Sequence, residues 1–277
     1  LVYHIVCSRD RPDGEPAAGL KPLETSWFTT DEENPRTAEI SARHRKVFEY
    51  TNEFSREAQN NAAAIDKERY SLLTGEQAVA LPAGLWDINQ AFCAADWLAI
   101  HYQKKVVKTL QGGHVAAFLT AVGYLTYTDL LSTPLMIGGI ISLMLFAVVN
   151  NALAVRGSWQ RKYLDYRTLA EGLRVQFYWA AAGVTSGSVS KYAHDNFLQM
   201  QDTELGWIRN VMRVAGMECD VAPNLDPHGV QFAVQEWIGD DKSGQLGYYR
   251  KKSAQRIVEH DSTLRIGRLG IWTTIIA

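Results

Sequence analysis

Few residues of this sequence could do chemistry, and their spacing matches no catalytic motif. His194 and Asp195 are adjacent, so their side chains diverge on a helix, and no serine or cysteine stands in an activated motif beside them. Asp240 and Asp241, close to Glu236, could bind a divalent cation, but they lack the spacing of an EF-hand loop. A solvated turn is the better interpretation of that segment. We therefore predict that the chain is not an enzyme and that these residues bind no cofactor and no metal.

Composition restricts the function further. The net charge of −2 and the pI near 6.4 give no electrostatic footprint for nucleic acid, so we expect no nucleic-acid partner. The three cysteines, Cys7, Cys93 and Cys219, fit neither CxxC nor zinc spacing. We interpret Cys93, which lies in an apolar helical stretch, as a small core residue. A Gly-Gly pair at residues 112–113 could cradle a phosphate, but no strand precedes it, and an interruption of the helix at a membrane surface is the preferred interpretation.

The informative polar residues lie inside a long apolar region, residues 108–156, where Asp129 is the only formal charge between the flanking cations. Two apolar runs, residues 115–127 and 135–155, are separated by a short link. The second run is long enough to cross a bilayer, which takes about 20 residues, and the first reaches about 17 when it is extended into the link. We therefore predict a transmembrane hairpin. The alternative, a buried helical pair in a soluble domain, is disfavoured because the second run has no polar face.

Cations flank this hairpin on both sides, whereas the link between its spans carries one anion, Asp129, and no cation. By the positive-inside rule both ends of the hairpin are cytoplasmic and Asp129 faces out. The sequence thus predicts a multi-pass protein of the plasma (inner) membrane, with the lipid bilayer as a partner and most of its mass cytoplasmic. The flanking cations are Lys104, Lys105, Lys108, Arg156, Arg161, Lys162 and Arg167.

Polar and small residues inside the two spans form the candidate pore or helix interface. They include three residues spaced by four and three, which share a helix face, and a small-xxx-small pair that lets helices approach closely. Polar groups in hydrocarbon are costly unless they meet partners or water, so helix–helix contact and pore lining are both possible roles, and they are compatible in an oligomer. The residues are Thr120, Tyr124, Tyr127, Asp129, Gly138, Ser142, Asn150 and Asn151.

Long helices account for the rest of the chain, and the predicted fold class is an all-α membrane protein: a transmembrane helical hairpin with long cytoplasmic helices. Helical periodicity extends from Asn34-Pro35 to about Ile65 and over residues 158–182, 190–217, 231–238 and 247–260. A further transmembrane helix is predicted to start at the C-terminus, so we suspect a piece of a longer polypeptide. The predicted segments are 1–33, the end of an upstream domain and a linker; 34–113, cytoplasmic helices leading to the membrane; 114–156, the hairpin; 157–263, a cytoplasmic helical domain; and 264–277, the start of the further helix.

The segment WQRKYLDYRTLAEGLRVQFYW, residues 159–179, resembles the helix that follows the membrane hairpin in the SLATT superfamily. The order of parts is also similar: the sequence ADWLA at residues 95–99, the hairpin, then long helices with further aromatic residues. The resemblance covers roughly Pro35 to the C-terminus. The matching or neighbouring residues are candidates for cytoplasmic packing or gating: Trp159, Tyr163, Tyr166, Glu171, Arg174, Trp179, Trp237, Tyr248 and Tyr249.

This resemblance implies a function. Bacterial and archaeal SLATT proteins are thought to be membrane-perturbing or pore-forming effectors in nucleotide-controlled defence systems, such as antiphage defence, and they often carry a SLOG nucleotide-sensing domain related to that of TRPM channels. No glycine-rich loop of the SLOG type is visible in this sequence, so any nucleotide ligand would bind an upstream domain. We expect a homo-oligomeric pore or ion-channel-like effector gated by cytoplasmic helices. The alternatives are a membrane-anchored signalling scaffold, with the hairpin as a tether, and a soluble helical enzyme.

Overall fold

The structure, a computed structural model, describes residues 42–73, 84–130, 132–184, 205–217 and 227–276. Every regular element in these ranges is helical, which confirms the all-helical part of the prediction. The predicted helix start at Asn34-Pro35, the pair His194 and Asp195, and the cysteines Cys7 and Cys219 lie outside the described residues. The helices are α1 Ala42–Asn60, α2 Ala62–Glu68, α3 Leu85–Asp129, α4 Pro134–Arg156, α5 Trp159–Ala181, α6 Gly206–Ala215, α7 Pro227–Phe232, a π-helical segment Ala233–Ile238, and α8 Gly244–Ile276.

The chain divides into two compact units. The first contains α1, α2, α3 from Trp86 onward, α4, α5 as far as Gln176, and α6. The second contains the end of α5 from Phe177, then α7, the π-helical segment and α8.

An aromatic cluster contributed by four helices forms the centre of the first unit. The ring of Tyr166 lies 5.7 Å from Phe54, 5.9 Å from Tyr102 and 6.1 Å from Trp207, measured between centroids. Tyr166 and Trp207 are fully buried. Removing an aromatic side chain of this size from water stabilises a fold by roughly 2–3 kcal/mol, so these rings are a main reason why α1, α3, α5 and α6 meet.

Helix α3 is continuous over its 45 residues, and the predicted interruption at Gly112-Gly113 is wrong. Two helical glycines cost about 1 kcal/mol each relative to alanine, a penalty that a long helix with good formers on both sides can absorb. Gly112 also lies against α4, where an added Cβ would be 3.6 Å from Asn150 Nδ2 and 3.9 Å from the ring of Phe146. The glycine therefore lies at a close approach of two helices. The predicted boundary between residues 113 and 114 coincides with no structural break.

Two predicted helix boundaries agree with the structure. Helix α5 was expected over residues 158–182 and occupies Trp159–Ala181. Helix α6 ends at Ala215, close to the predicted limit of residue 217, and the backbone N–H of Gly216 at its C-cap donates to Met212 O at 3.1 Å. The earlier part of that predicted helix, before residue 205, lies outside the described residues.

The second unit is organised around Tyr178, at the end of α5. Its ring stacks on Trp237 with centroids 5.1 Å apart and an angle of 4° between the planes, and it also contacts Phe232 at 6.0 Å. After the π-helical segment the chain turns through Gly239 and Gly244, which have φ of 70° and 61°. Glycine adopts such angles with little strain, so the turn predicted around Asp240 and Asp241 depends on these two positions.

Helix α8 is longer than the sequence predicted. A helix over residues 247–260 and a separate one from residue 264 were expected, but a single helix runs from Gly244 to Ile276. The polar residues between the two predicted helices do not end it. Ser262 and Thr263 donate their hydroxyls to Glu259 O at 2.8 and 2.9 Å, so their side chains bond back onto the helix that contains them.

Candidate functional site

Helix α4 and the C-terminal part of α3 pack against each other as an antiparallel hairpin. Near its base, Asn150 Nδ2 donates a hydrogen bond to Thr109 O at 2.9 Å. Towards its tip, an added Cβ at Gly123 would lie 3.3 Å from Ile140 Cγ1. Because the residue number falls along α4 as it rises along α3, the two helices run in opposite directions. A helical hairpin is therefore present in the structure.

The outer surface of this hairpin is apolar and exposed. Helix α4 has no buried residue, and Leu135 is 87% exposed. Its less exposed positions recur every three or four residues and mark the side that faces α3. They are Met136, Ile140, Leu143, Ala147, Asn150 and Ala154. Large apolar side chains cover the remaining sides, and a contiguous exposed apolar surface of this kind marks an interaction site.

Length and composition separate the two helices of the hairpin. Within the described part of the chain, Pro134–Arg156 is the one helix that is long and apolar enough to cross a membrane. The first predicted span, residues 115–127, is the C-terminal part of α3, and α3 does not meet the same criterion. Phe118 and Leu125 are nevertheless exposed on it, so its outer side is also apolar.

The predicted polar residues of α3 lie at the tip of the hairpin or partly within it. Thr120 and Tyr127 are half-buried, whereas Tyr124 is exposed. Asp129 is the exposed last residue of α3. The shared face that the spacing of the first three predicts is therefore covered at two positions and open at the third.

The predicted small pair of α4 points away from α3. Gly138 and Ser142 are both exposed, and a Cβ added at Gly138 would meet no heavy atom within 4 Å. The Ser142 hydroxyl donates to Gly138 O at 2.8 Å, which satisfies it within its own helix. Asn151 is exposed, while the neighbouring Asn150 joins the two helices of one chain. Of the eight candidates, the structure thus uses Asn150 most clearly as a helix contact.

A cluster of charged side chains lies at the other end of the hairpin. Arg161 Nη2 is 2.5 Å from Glu53 Oε2, and Lys162 Nζ is 2.5 Å from Glu57 Oε1 and 3.0 Å from Glu53 Oε1. The Tyr102 hydroxyl donates to Glu57 Oε2 at 2.5 Å. We call these five residues the basal cluster. It ties α1 and α3 to the start of α5, immediately after the hairpin.

The ion pairs of the basal cluster shift the titration of its members. Burial alone would raise the pKa of Glu53, but hydrogen bonds from Arg161 and Lys162 outweigh burial and lower it. Burial would lower the pKa of Lys162, but its bonds to Glu57 and Glu53 raise it. Burial and the bond to Glu57 together raise the pKa of Tyr102 to about 12. The lysine and Glu53 are therefore both held charged, and the tyrosine is held neutral, at physiological pH.

A second charged group surrounds Asp96 on α3. The Asp96 side chain is 9% exposed; Arg167 Nη1 lies 3.2 Å from its Oδ1, and Arg174 Nη2 lies 4.0 Å from the same atom. Arg174 Nη1 and Glu171 Oε2 are 2.9 Å apart, and Glu171 also pairs with Arg167. Burial raises the pKa of Asp96 although the two arginines oppose it. The sequence prediction did not name Asp96 as a site residue, although it lies in the ADWLA segment at residues 95–99 and is a carboxylate beside an apolar helical stripe.

The remaining candidate residues are distributed over both units. In the first unit, Trp159 and Tyr163 are half-buried and Tyr166 belongs to the aromatic core. Trp179 is half-buried near the end of α5. In the second unit, Trp237 stacks on Tyr178, and the exposed rings of Tyr248 and Tyr249 contact each other edge to face at 5.5 Å. The ring contacts of Tyr166, Trp237, Tyr248 and Tyr249 each join residues of the same unit.

The acidic segment near residue 240 forms a turn. Asp240 Oδ1 accepts hydrogen bonds from the backbone N–H groups of Lys242 and Ser243, both at 2.8 Å, and these bonds lower its pKa. Asp241 pairs with Arg250 at 2.6 Å. Across the described ranges, no group of three or more His, Cys, Asp or Glu side chains is arranged to hold a metal ion.

Cys93 is a core residue, as the sequence indicated. It is buried, and its thiol lies 3.3 Å from Tyr70 O. Burial raises the pKa of this thiol to about 11. A thiol that stays protonated and buried is a poor nucleophile and a poor metal ligand.

Comparison with known proteins adds no further evidence. No protein-family model matches the chain, and neither a curated protein nor a solved structure gives a significant match. The function is therefore argued from the hairpin, its apolar surface and the charged groups at its base.

Proposed function

We propose that α4 and the C-terminal part of α3 cross a lipid bilayer as the hairpin of a multi-pass inner-membrane protein. The observation that carries this proposal is the exposed apolar surface of α4, which has no buried residue in the chain itself. With 23 residues at 1.5 Å each, α4 is about 35 Å long, enough for a hydrocarbon core of about 30 Å. Lipid would cover side chains that water would otherwise meet.

The distribution of charge supports one orientation. Lys105 Nζ lies 4.9 Å and Lys162 Nζ 5.2 Å from the centre of the same Tyr102 ring, so a cation before the hairpin and one after it lie at the same end. Asp129 marks the opposite end. The positive-inside rule then assigns the base to the cytoplasm and Asp129 to the outside.

Within the membrane, several copies assemble through the outer side of α4 into a pore or ion-channel-like effector. A single hairpin encloses no hydrophilic path, so conduction requires copies around an axis. The open surface at Gly138 and Ser142 supports this step, because small residues let helices of different copies approach closely. Tyr124, Asp129 and Asn151, which are exposed in one chain, remain to line or flank the path.

The cytoplasmic helices gate this assembly through the basal cluster. Glu53 and Glu57 on α1 bind Arg161 and Lys162 at the start of α5, a short distance along the chain from the end of α4. A displacement of α1 would therefore act directly on the base of the hairpin. The resemblance to the SLATT superfamily suggests the trigger, a nucleotide bound by an upstream domain, and a role in defence.

A membrane tether is the second candidate function, and one observation favours it. Asn150, a candidate pore residue, donates its amide to Thr109 O within the same chain and is thereby used as a helix contact. In this case the hairpin anchors a helical signalling scaffold and passes no ions.

Cysteine accessibility in intact cells tests the membrane placement. In a C7S/C219S background, which keeps the buried Cys93, Asp129→Cys should react with an impermeant maleimide, and Lys104→Cys should react only after the cells are permeabilised. Lys104 is the matched position because it is exposed and lies on the same helix as Asp129. Equal reaction of both positions in intact cells would reject the spanning hairpin.

Ion flux separates the pore from the tether. In a pore, Asp129 forms a ring of like charges at the outer mouth, which selects for cations. Liposomes containing the purified protein should therefore favour cations, and Asp129→Lys should abolish that preference. Glu49→Lys is the control, because Glu49 is an exposed anion on α1 and the same change of charge there should leave selectivity intact. Absence of flux from protein that is inserted correctly would reject the pore and leave the tether.

A further inference from the structure

Helix α8 presents an exposed surface with both apolar and basic side chains. Of its described side chains, all but Gly247 are exposed or half-exposed, over a helix of 33 residues, about 50 Å long. Most of the stability of a helix in a protein comes from tertiary packing. Because α8 packs so little against its own chain, we expect its surface to contact a partner. Its exposed large apolar residues are Leu246, Tyr248, Tyr249, Ile257, Val258, Leu264, Ile271 and Trp272.

The charge of α8 is opposite in sign to that of the whole chain. Residues 244–276 carry six Lys or Arg and two Asp or Glu, a net charge of +4, whereas the 277 residues together carry −2. Four of the six cations fall within seven residues, 250–256, directly after two exposed tyrosines. Arg250 pairs with Asp241, but Lys251, Lys252 and Arg256 form no ion pair among the described residues.

We propose that α8 binds the anionic headgroups of a lipid bilayer and lies at the membrane surface. Exposed lysines and arginines are attracted to anionic lipid, and tyrosine and tryptophan rings sit at the level of the headgroups, where one edge is apolar and the other is wet. Isoleucine, leucine and valine side chains beside them enter the upper part of the acyl region. The helix combines these three features along its length.

Charge and exposed apolar side chains together favour this partner over two others. A second copy of α8 would bring +4 against +4, which disfavours self-association at physiological salt. A nucleic acid would also attract the cations, but the exposed isoleucines, leucines and valine have no counterpart on a phosphate backbone. A bilayer with anionic lipid offers both a negatively charged surface and an apolar acyl region beneath it.

This inference does not rest on the proposed hairpin function, and a local probe separates the two. In the C7S/C219S background, a fluorophore sensitive to polarity is attached to Ile257→Cys, an exposed position of α8. The full chain is reconstituted in vesicles of phosphatidylcholine alone or with 30% phosphatidylserine. We expect a blue shift, and quenching by lipid-attached quenchers, with phosphatidylserine only, and reversal of both by 0.5 M NaCl.

Neutralising two cations tests the electrostatic part. Each cation near an anionic surface changes the binding constant about 5-fold, so K251Q/R256Q should lower the docking equilibrium constant about 25-fold. The matched control, R56Q/K67Q, removes two exposed cations of the first unit and should leave docking unchanged. Circular dichroism checks that each variant retains its helix content.

Several results would overturn the inference. They are equal fluorescence in both vesicle types, an unaltered response of K251Q/R256Q, and the same blue shift from a 20-base-pair duplex without lipid, which would make nucleic acid the partner. Protein that stays in neutral vesicles after alkaline extraction but shows no docking rejects the inference about α8 alone. Protein that leaves neutral vesicles but docks to anionic ones rejects the hairpin and keeps α8.

Discussion

Among the residues of the basal cluster, replacement of Lys162 should lower the free energy of unfolding most. Its side chain is 12% exposed, and its ammonium lies 2.5 Å from Glu57 Oε1 and 3.0 Å from Glu53 Oε1. Lys162→Met keeps most of the side-chain volume and removes the charge. It leaves two carboxylates, 16% and 21% exposed, near each other without their shared cation.

The size of the loss in stability depends on which interactions the two carboxylates keep in the variant. Removing one partner of a buried ion pair costs about 3–5 kcal/mol. Here Glu53 keeps Arg161 and Glu57 keeps the Tyr102 hydroxyl, and both have some solvent, so we expect a loss of about 2–3 kcal/mol in the free energy of unfolding. For a chain of this size that lowers the melting temperature by roughly 5–10 °C.

Glu57→Gln should cost less than Lys162→Met. Its amide oxygen can still accept from Tyr102, and Lys162 retains Glu53, so we expect a loss of about 1 kcal/mol. Near-UV circular dichroism of the protein in detergent, followed as temperature rises, monitors the aromatic core beside the cluster. Lys104→Met, an exposed lysine, is the control and should change stability by less than about 0.5 kcal/mol. A Lys162→Met variant as stable as this control, or no more destabilised than Glu57→Gln, would refute the reasoning.

The same cluster predicts the dependence of stability on pH. Because the pKa of Glu53 is lowered from 4.5, its contribution is present above pH 4.5 and is lost as pH falls below that value through the folded-state pKa. Because the pKa of Lys162 is raised from 10.5, its contribution is complete below pH 10.5 and is lost as pH rises further. The melting temperature should therefore decline at both limits, and both slopes should be shallower in Lys162→Met.

Three further predictions follow from single contacts. Gly138→Leu should shift the protein towards monomers in sedimentation without lowering its melting temperature, since an added Cβ meets nothing within 4 Å; an unchanged mass distribution would remove Gly138 from the interface. Asn150→Leu should destabilise the hairpin by about 1 kcal/mol in chemical unfolding by losing its bond to Thr109, and full stability would contradict that role. Cys93 should resist maleimide at pH 8 until the protein unfolds, because burial raises its pKa to about 11; rapid labelling of native protein would argue against the buried site.

Local sequence signals predict helices well where nothing competes with them. Helix α4 begins with Pro134, ends at Arg156 and has Gly157 as its C-cap, so its limits match one proline, one glycine and the uninterrupted apolar run between them. Prediction failed where packing against a neighbouring helix outweighed a local sequence signal. Gly112-Gly113 suggested an interruption, but α3 continues through it beside α4. The effect of a neighbouring helix cannot be read from a pattern along one segment.

Ion pairs between distant segments are the part of the site that the sequence could not reveal. Glu53 and Arg161 are separated by 108 positions, and Asp96 and Arg167 by 71, so each pair depends on how the helices pack. These contacts change how the cations that flank the hairpin should be counted. The positive-inside rule counts Arg161, Lys162 and Arg167 equally with the others, yet all three are paired with carboxylates in the folded protein.

Only part of the positive charge at the base of the hairpin is therefore open to solvent or lipid. Lys104, Lys108 and Arg156 are exposed, and they flank the apolar surface of the hairpin on both helices. Arg161 and Lys162 are instead largely neutralised by the carboxylates of α1. In the proposed membrane orientation, the exposed cations are the ones suited to contact headgroups, while the paired ones hold α1 and α5 together at the base of the hairpin.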